Sequence, residues 1–315
     1  MEPIKTCVLI YNPVATRFNN AVMEQVVRRL ERQKIETSVV MSNWKGDITS
    51  LVAKHNPLCD MILTMGGDGT VGEAFQGFHG QEQRALYSHL PVGTGNDMAV
   101  NFNLVPKNAI ASLERILDGK EHILDVLTVN GDPLSFISSF GYITSTPYLI
   151  PQSVKRHFGY AGYVSYGLMN LAKGQTPIDI RYTKNGEWKE ESVVMGFMTN
   201  AMNFAGVDFY PDVDLNDGLF EVMFIKSFNF KFFQKLLPVF LKNNVDMNNF
   251  GEYVEMFRAD EMTLCFDNKK ANLDFCNDGD RYAVDRDENL TMRYKIDGKL
   301  RMLLPDPEKA ARYKK

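Results

Sequence analysis

The sequence predicts an α/β unit built on a parallel sheet, followed by a mostly antiparallel β unit. Three observations carry this prediction. Over the first 120 residues, short apolar runs alternate with segments of helical period, the rhythm of strands joined by crossover helices. From Ile123 onward strand-like runs dominate, several of them separated by Asn-Gly or Asp-Gly pairs. A chain of 315 residues is long enough for two ordinary domains, each with its own core.

The elements follow in order. TCVLIY (Thr6 to Tyr11) is apolar without helical period and reads as a buried strand. Between Phe18 and Arg32, the residues Met23, Val26, Val27 and Leu30 recur at helical spacing. ETSVVM (Glu36 to Met41) is rich in β-formers, and Ile48, Leu51 and Val52 mark a short helix. DMILTM (Asp60 to Met65) is the next strand. Ile110, Leu113, Ile116 and Leu117 give another helix, ended by Asp118-Gly119.

In the second unit the strand candidates are ILDVLTV, PLSFISSF, SVVMGFMTN, LFEVMFI, EMTLCF and NLTMRY. Turns are expected at Asn130-Gly131, Asn185-Gly186, Asp217-Gly218 and Asp297-Gly298. Helices are expected near Gly162 to Ala172 and Phe228 to Leu241, the second reading as a packing helix despite Pro238. The pattern changes near Val126. The division is therefore 1–126 for the first unit and 127–300 for the second, with a tail at 301–315 that packs back on the first.

The composition is that of an ordinary globular chain, 44% hydrophobic and 23% charged. A net charge of −4 argues against nucleic acid as a main partner, because no excess of Lys and Arg exists to neutralise phosphates. Cys7, Cys59, Cys265 and Cys276 form no CxxC pair and lie in apolar runs, so they read as buried reduced thiols rather than zinc ligands. The N-terminus lacks the basic start and apolar core of a signal peptide, and no window approaches the roughly 20 apolar residues of a membrane span. The expectation is a cytoplasmic protein, at most peripheral to a membrane.

The chemistry points to MILTMGGDGTVGEAF (Met61 to Phe75). A strand leaves through Gly66-Gly67-Asp68-Gly69-Thr70, which exposes backbone N–H groups unshielded by side chains. Such a corner suits phosphate oxygens, helped by the dipole of a following helix. Asp68 would repel phosphate unless Mg²⁺ or a reacting proton lies between them; the plainer alternative makes it a helix N-cap. HLPVGTGNDMAV (His89 to Val100) repeats the theme, with Gly93-Thr94-Gly95 and then Asn96-Asp97 as a cap. Two such exits from neighbouring parallel strands converge on one crevice at the strands' carboxyl ends. Neither matches GxxxxGK[ST], which disfavours a P-loop ATPase.

Together GGDGTVGEAF and LPVGTGNDMA resemble the diacylglycerol kinase catalytic-domain family, which includes sphingosine and ceramide kinases, and most of all its soluble bacterial lipid kinases. Asn12-Pro13, Ser42 with Lys45-Gly46-Asp47, Tyr210-Pro211, Leu215 to Leu219 and Asp278-Gly279-Asp280 extend the likeness along the chain.

The resemblance implies a Rossmann-like ATP-binding domain of the NAD-kinase/diacylglycerol-kinase type plus a β-sandwich, with the cleft between them. It implies ATP and Mg²⁺ as cofactors, a lipid hydroxyl as acceptor met at the inner membrane face, and a homodimer by analogy with bacterial relatives. Diacylglycerol is the default acceptor. By the same resemblance Asn12, Ser42, Gly66, Gly67, Asp68, Gly69, Thr70, Glu73, Gly93 and Thr94 line the nucleotide site. Asp68 and Asp280 are then catalytic, Asp280 as the base, with Asp278 beside it as the other candidate. Asp217, with backbone oxygens of Asp214 and Leu219, would hold a structural metal.

Asp280 stands where glutamate is usual, Gly72 where asparagine is common and Thr16 where glycine is frequent. Taken without the family pattern, Asp217-Gly218 is a hairpin turn, the two aspartates of DGD are solvated turn residues, and Lys155-Arg156-His157 is a solvated face. Two other functions compete. One is a kinase of another acceptor (phosphatidylglycerol, a sphingoid lipid or NAD), including phosphofructokinase-like enzymes; the other is a non-catalytic nucleotide-binding regulator.

Overall fold

The computed structural model describes residues 3–141, 176–201, 203–204, 207–208, 213–227, 229–232, 234–235, 250–267, 273–284 and 289–306. The expected helices at 162–172 and 228–241, the Lys155-Arg156-His157 cluster and Tyr210-Pro211 lie wholly or largely outside these residues.

Four parallel strands open the chain: β1 (Thr6–Tyr11), β2 (Glu36–Met41), β3 (Met61–Gly66) and β4 (Leu86–Pro91), ordered β2-β1-β3-β4. Every residue of β3 and β4 is buried, as expected of strands covered on both faces by crossover helices, and this is why they read as apolar runs without alternation. The helices are α1 (Asn20–Arg32), α2 (Asp47–His55), α3 (Asp68–Phe78), α4 (Asp97–Asn101) and α5 (Ala109–Leu117). Helix α1 starts later than Phe18 because Asn19 caps it, accepting the Ala21 N–H at 2.8 Å, and it buries Val26 and Leu30 one turn apart.

The antiparallel part comprises β5 (Lys120–Val129), β6 (Asp132–Leu134), β7 (Ile137–Gly141), β8 (Ile178–Lys184), β9 (Glu187–Val193), β10 (Met195–Thr199), the short β11 (Asn203–Phe204) and β12 (Val207–Asp208), β13 (Phe220–Ile225), β14 (Val254–Ala259), β15 (Glu261–Asp267), β16 (Phe275–Asn277), β17 (Asp280–Tyr282) and β18 (Asn289–Leu304). One sheet runs β14-β13-β10-β7-β16-β17; the other continues the parallel sheet as β18-β15-β8-β9. Phe140, Phe220, Phe224 and Phe275 of the first meet Tyr182, Phe266, Met292 and Tyr294 of the second in one core. The contact of Phe140 with Phe266, edge to face at 4.8 Å, spans the two sheets.

Two features join the units. Strand β18 pairs with β15, then with β5, and ends beside Tyr87 of β4, where Ser88 Oγ donates to the Leu303 carbonyl at 2.8 Å. Strand β5 changes cores along its length: Val126 packs in the first and Leu127 in the second. Asn130-Gly131 and Asn185-Gly186 are two-residue hairpin turns with both residues at positive φ. Asp297-Gly298 is not a strand-separating turn. It is a bulge inside β18, where the register with β5 slips between Ile296 and Lys299 and Gly298 takes φ 104°.

All four cysteines are free, and Cys7, Cys59 and Cys276 are buried; burial pushes the Cys59 thiol up to about 11. No helix among the described residues is long and apolar enough to cross a membrane.

Candidate active site

The carboxyl ends of β1 to β4 lie along one edge of the sheet and are cross-tied there. Asn12 N–H donates to the Met65 carbonyl, Ser42 N–H to Tyr11 and Val92 N–H to Gly66, at 3.0, 3.0 and 2.7 Å. The two glycine corners touch. A Cβ on Gly93 would sit 2.4 Å from the Gly67 Cα, and one on Gly66 would sit 2.1 Å from Thr70 Oγ1, so the loops meet through bare backbone. Asp68 and Gly69 are the first two residues of α3, whose N–H groups have no helical acceptor and face the helix N-terminal end. Thr70 and Val71 N–H both turn back to the Gly67 carbonyl.

Asp68 does not cap its own helix; that position is Gly67. Its carboxylate reaches the other loop, where Oδ2 accepts Asn96 N–H at 2.8 Å and Oδ1 accepts Met98 N–H at 3.0 Å. Asp68 therefore caps α4. Asn96 precedes α4 in a left-handed conformation (φ 60°) and makes no cap bond of its own. Its side chain is turned onto the Gly93 N–H and carbonyl and the Pro106 carbonyl. Burial first, and Asp68 second, push the Asp97 carboxyl up to about 6.

Thr94 Oγ1 lies 2.7 Å from Thr16 Oγ1. Arg17, which sequence reasoning missed, donates to Gly93 O through Nη1 at 2.9 Å and to Val92 O through its backbone. Only an argument from loop contacts could have found it, since no motif marks it. Glu73 serves the neighbouring helix: Oε2 accepts the Ile48 N–H at 3.2 Å in the first turn of α2.

The Asp278-Gly279-Asp280 segment is a tight hairpin between β16 and β17, with positive φ at Asp278 and Gly279. It separates the two carboxylates. Asp278 accepts four hydrogen bonds, from Ser135 N and Oγ on one oxygen and from Phe136 N and Ile137 N on the other, at 2.8 to 3.0 Å. Burial pushes its carboxyl up and those donors oppose the shift. With both oxygens engaged, Asp278 is an anchor and not a base. Asp280 is exposed and meets Lys45 Nζ at 2.8 Å, an ion pair that joins the β2–α2 segment to the sandwich domain.

The acidic loop sits elsewhere on the seam between the units. Asp214 Oδ1 accepts Asn216 N–H and Asp217 Oδ1 accepts Leu219 N–H, both at 3.0 Å. Asp217 Oδ2 faces Arg258 at 3.5 Å. Gly218 N–H donates to buried Asp125, whose other oxygen lies 3.1 Å from Lys299. Burial first pushes Glu221, paired with Arg258 and near Asp217, up to about 7. Asp217 of the loop is thus already faced by Arg258, while Lys299 faces Asp125 outside it, and a carboxylate committed to Arg258 does not suit a resident Mg²⁺. Among the described residues no cluster of three or more His, Cys, Asp or Glu is placed to hold a metal. The repelling pair Asp68 and Asp97 suits a cation that arrives with phosphate ligands of its own, since Mg²⁺ commonly takes only one or two protein carboxylates.

Residues 6–129 match the diacylglycerol kinase catalytic domain. That stretch includes both glycine corners. The diacylglycerol kinase of Bacillus subtilis (strain 168) is 27% identical over 243 residues, 76% of this chain and 80% of that one. That of Staphylococcus carnosus (strain TM300) is 24% identical over 226 residues, 70% of this chain and 72% of that one. A diacylglycerol kinase structure from Bacillus anthracis str. Sterne superposes with a TM-score of 0.73 at 17% identity, over 98% of this chain and 99% of that one. Another chain from that organism, provisionally assigned to the same class, gives 0.78 at 19%, over 97% and 99%. These superpositions support the two-unit fold, and the diacylglycerol kinase family match covers the crevice where the glycine corners meet.

Proposed function

We propose that the protein is an ATP-dependent lipid kinase that transfers the γ-phosphoryl group to a lipid hydroxyl, with diacylglycerol as acceptor and phosphatidic acid as product. The observation that carries this reading is the contact of the two glycine corners at Gly67 and Gly93, with Asp280 linked to that edge through Lys45. Phosphoryl transfer needs positioning, charge neutralisation and a base rather than covalent catalysis by the protein.

The N–H groups at the start of α3 receive phosphate oxygens, and Asn12, Ser42 and Thr94 line the nucleotide side. The guanidinium of Arg17 and the ammonium of Lys45 add positive charge at either flank. Bound Mg²⁺ supplies neutralisation of the transferring phosphoryl group. Asp280 accepts the proton of the attacking hydroxyl, Lys45 holding its carboxylate towards the nucleotide-binding unit. The acceptor enters between the units from a membrane surface that the protein touches peripherally.

The test is transfer of label from [γ-³²P]ATP into a panel of diacylglycerol, phosphatidylglycerol, sphingosine and NAD. Label in diacylglycerol supports the reading. Label in another lipid alone changes the acceptor, label in NAD alone overturns the lipid assignment, and ATP binding with no transfer favours a regulator.

A further inference from the structure

Helix α3 is flanked near its start from both sides. On one side the first turn of α2 leans on Glu73: Oε2 accepts the Ile48 N–H at 3.2 Å, and Thr49 Oγ1 donates to the Glu73 carbonyl at 3.0 Å. On the other side the DGD hairpin comes up to Gly72, where a Cβ would lie 3.5 Å from Asp278 Oδ2. Gly72 and Glu73 follow Asp68 by four and five residues, about 6 to 8 Å along the helix axis. Lys45 precedes Ile48 by three residues, Asp280 follows Asp278 by two, and their side chains meet at 2.8 Å. The pair thus stands close to the first glycine corner. The roots of both side chains are fixed. Buried Asp47 accepts Asn43 N–H and Nδ2 at 2.8 and 3.1 Å, and Asp278 carries its four hydrogen bonds. The tips are not fixed, since the Lys45 and Asp280 side chains are 79% and 65% exposed.

An exposed ion pair contributes little to stability, because both charges keep much of their water and two long side chains lose freedom. The units do not need it as a brace, since β5 and β18 already pair along their length and β5 packs in both cores. Its effect is to commit an ammonium to a carboxylate. Lys45 is the only Lys or Arg between β2 and α2. A polyphosphate offers that ammonium a denser negative charge and strong charge-assisted hydrogen bonds. We infer that Lys45 exchanges partners: it holds Asp280 in the nucleotide-free protein and passes to a phosphate oxygen of ATP once nucleotide occupies the glycine corners. The pair brings the carboxylate up to the nucleotide-binding unit, and the exchange frees its oxygens there to take the proton of the acceptor hydroxyl. The base is disarmed until ATP is in place. This exchange rests on the reading of the glycine corners as an ATP site; it does not require the acceptor to be a lipid.

Competition for one ammonium has a thermodynamic signature. ATP binds fully only to the fraction of protein in which Lys45 is free, so the pair weakens the apparent affinity by that fraction. For an exposed pair formed about two-thirds of the time, the penalty is about threefold. A double-mutant cycle on the full chain measures it, with the dissociation constant of Mg²⁺–ATP read by calorimetry. Asp280→Asn is expected to tighten ATP binding about threefold, and Lys45→Met to weaken it about fivefold or more. In the Lys45→Met background, Asp280→Asn is expected to change the constant by less than about 1.5-fold. Tightening of equal size in both backgrounds overturns the exchange, because it reports only relief of repulsion between carboxylate and phosphate. So does an Asp280→Asn variant that binds ATP no more tightly than wild type. Both positions are exposed, so the variants keep the fold. Phosphoryl transfer to lipid, scored in parallel, separates the two readings. A positive cycle without transfer keeps the exchange and defeats the lipid kinase, transfer with a null cycle does the reverse, and a wild-type protein that binds no ATP defeats both.

Discussion

The carboxylate of Asp68 holds the backbone N–H of Asn96 at 2.8 Å, tying the first glycine loop to the second across 28 residues of chain. With the Met98 bond it satisfies two donors at the start of α4. Asp68→Ala should therefore do two things. Lost cap bonds should cost about 1–2 kcal/mol of stability, read by denaturant unfolding. Loss of loop registry and of charge at the phosphate should lower kcat by about 100-fold or more, read by phosphoryl transfer. Near wild-type turnover in a folded Asp68→Ala protein would remove it from the site.

The two aspartates of the DGD hairpin should separate stability from activity. Asp278→Ala strands three buried backbone N–H groups and a hydroxyl, and should cost about 2–4 kcal/mol of stability. Asp280→Ala breaks only an exposed ion pair and should leave Tm nearly unchanged. Its kcat should fall about 100-fold or more as the base is lost. The assignment of Asp280 fails if its alanine variant turns over normally.

The pattern of residues that could be read in advance follows from burial. Strands β1, β3 and β4 are covered on both faces, so they announce themselves as apolar runs, and the glycines mark the corners because only bare backbone fits there. Strand β8 is harder to read, because Ile178, Ile180 and Tyr182 alternate with exposed residues over only seven positions, a weak signal. The roles of Asp278 and Asp280 were illegible, since identical residues two apart are distinguished only by the positive φ values of the turn between them. Asp68 as a brace and Arg17 at Gly93 depend on contacts 28 or more residues apart, which local pattern does not encode.

Magnesium without nucleotide should change Tm by less than about 1 °C, because a ligand stabilises only by binding the folded chain and Asp217 of the acidic loop already faces Arg258. Thermal unfolding in EDTA and in excess Mg²⁺ checks this. A rise of several degrees that Asp217→Asn abolishes would place a structural cation in the loop.

Asp97 gives the protein a pH signature. Its carboxyl, ordinarily near 3.8, is raised to about 6 by burial and then by Asp68, so the folded chain holds that proton more tightly than the unfolded chain does. Its contribution to stability is therefore greatest at low pH. It diminishes as pH rises from about 4 to about 6, and above that the cost of the buried charge is fully present. Asp97→Asn abolishes this titration. Relative to wild type, the variant should gain on the order of 1–3 kcal/mol in going from pH 4 to pH 8, whatever its constant packing change. Urea unfolding at both pH values measures the difference. An Asp97→Asn effect equal at pH 4 and pH 8 would mean that the carboxyl titrates alike in the folded and unfolded chain, and that the two acids at the α4 terminus do not repel.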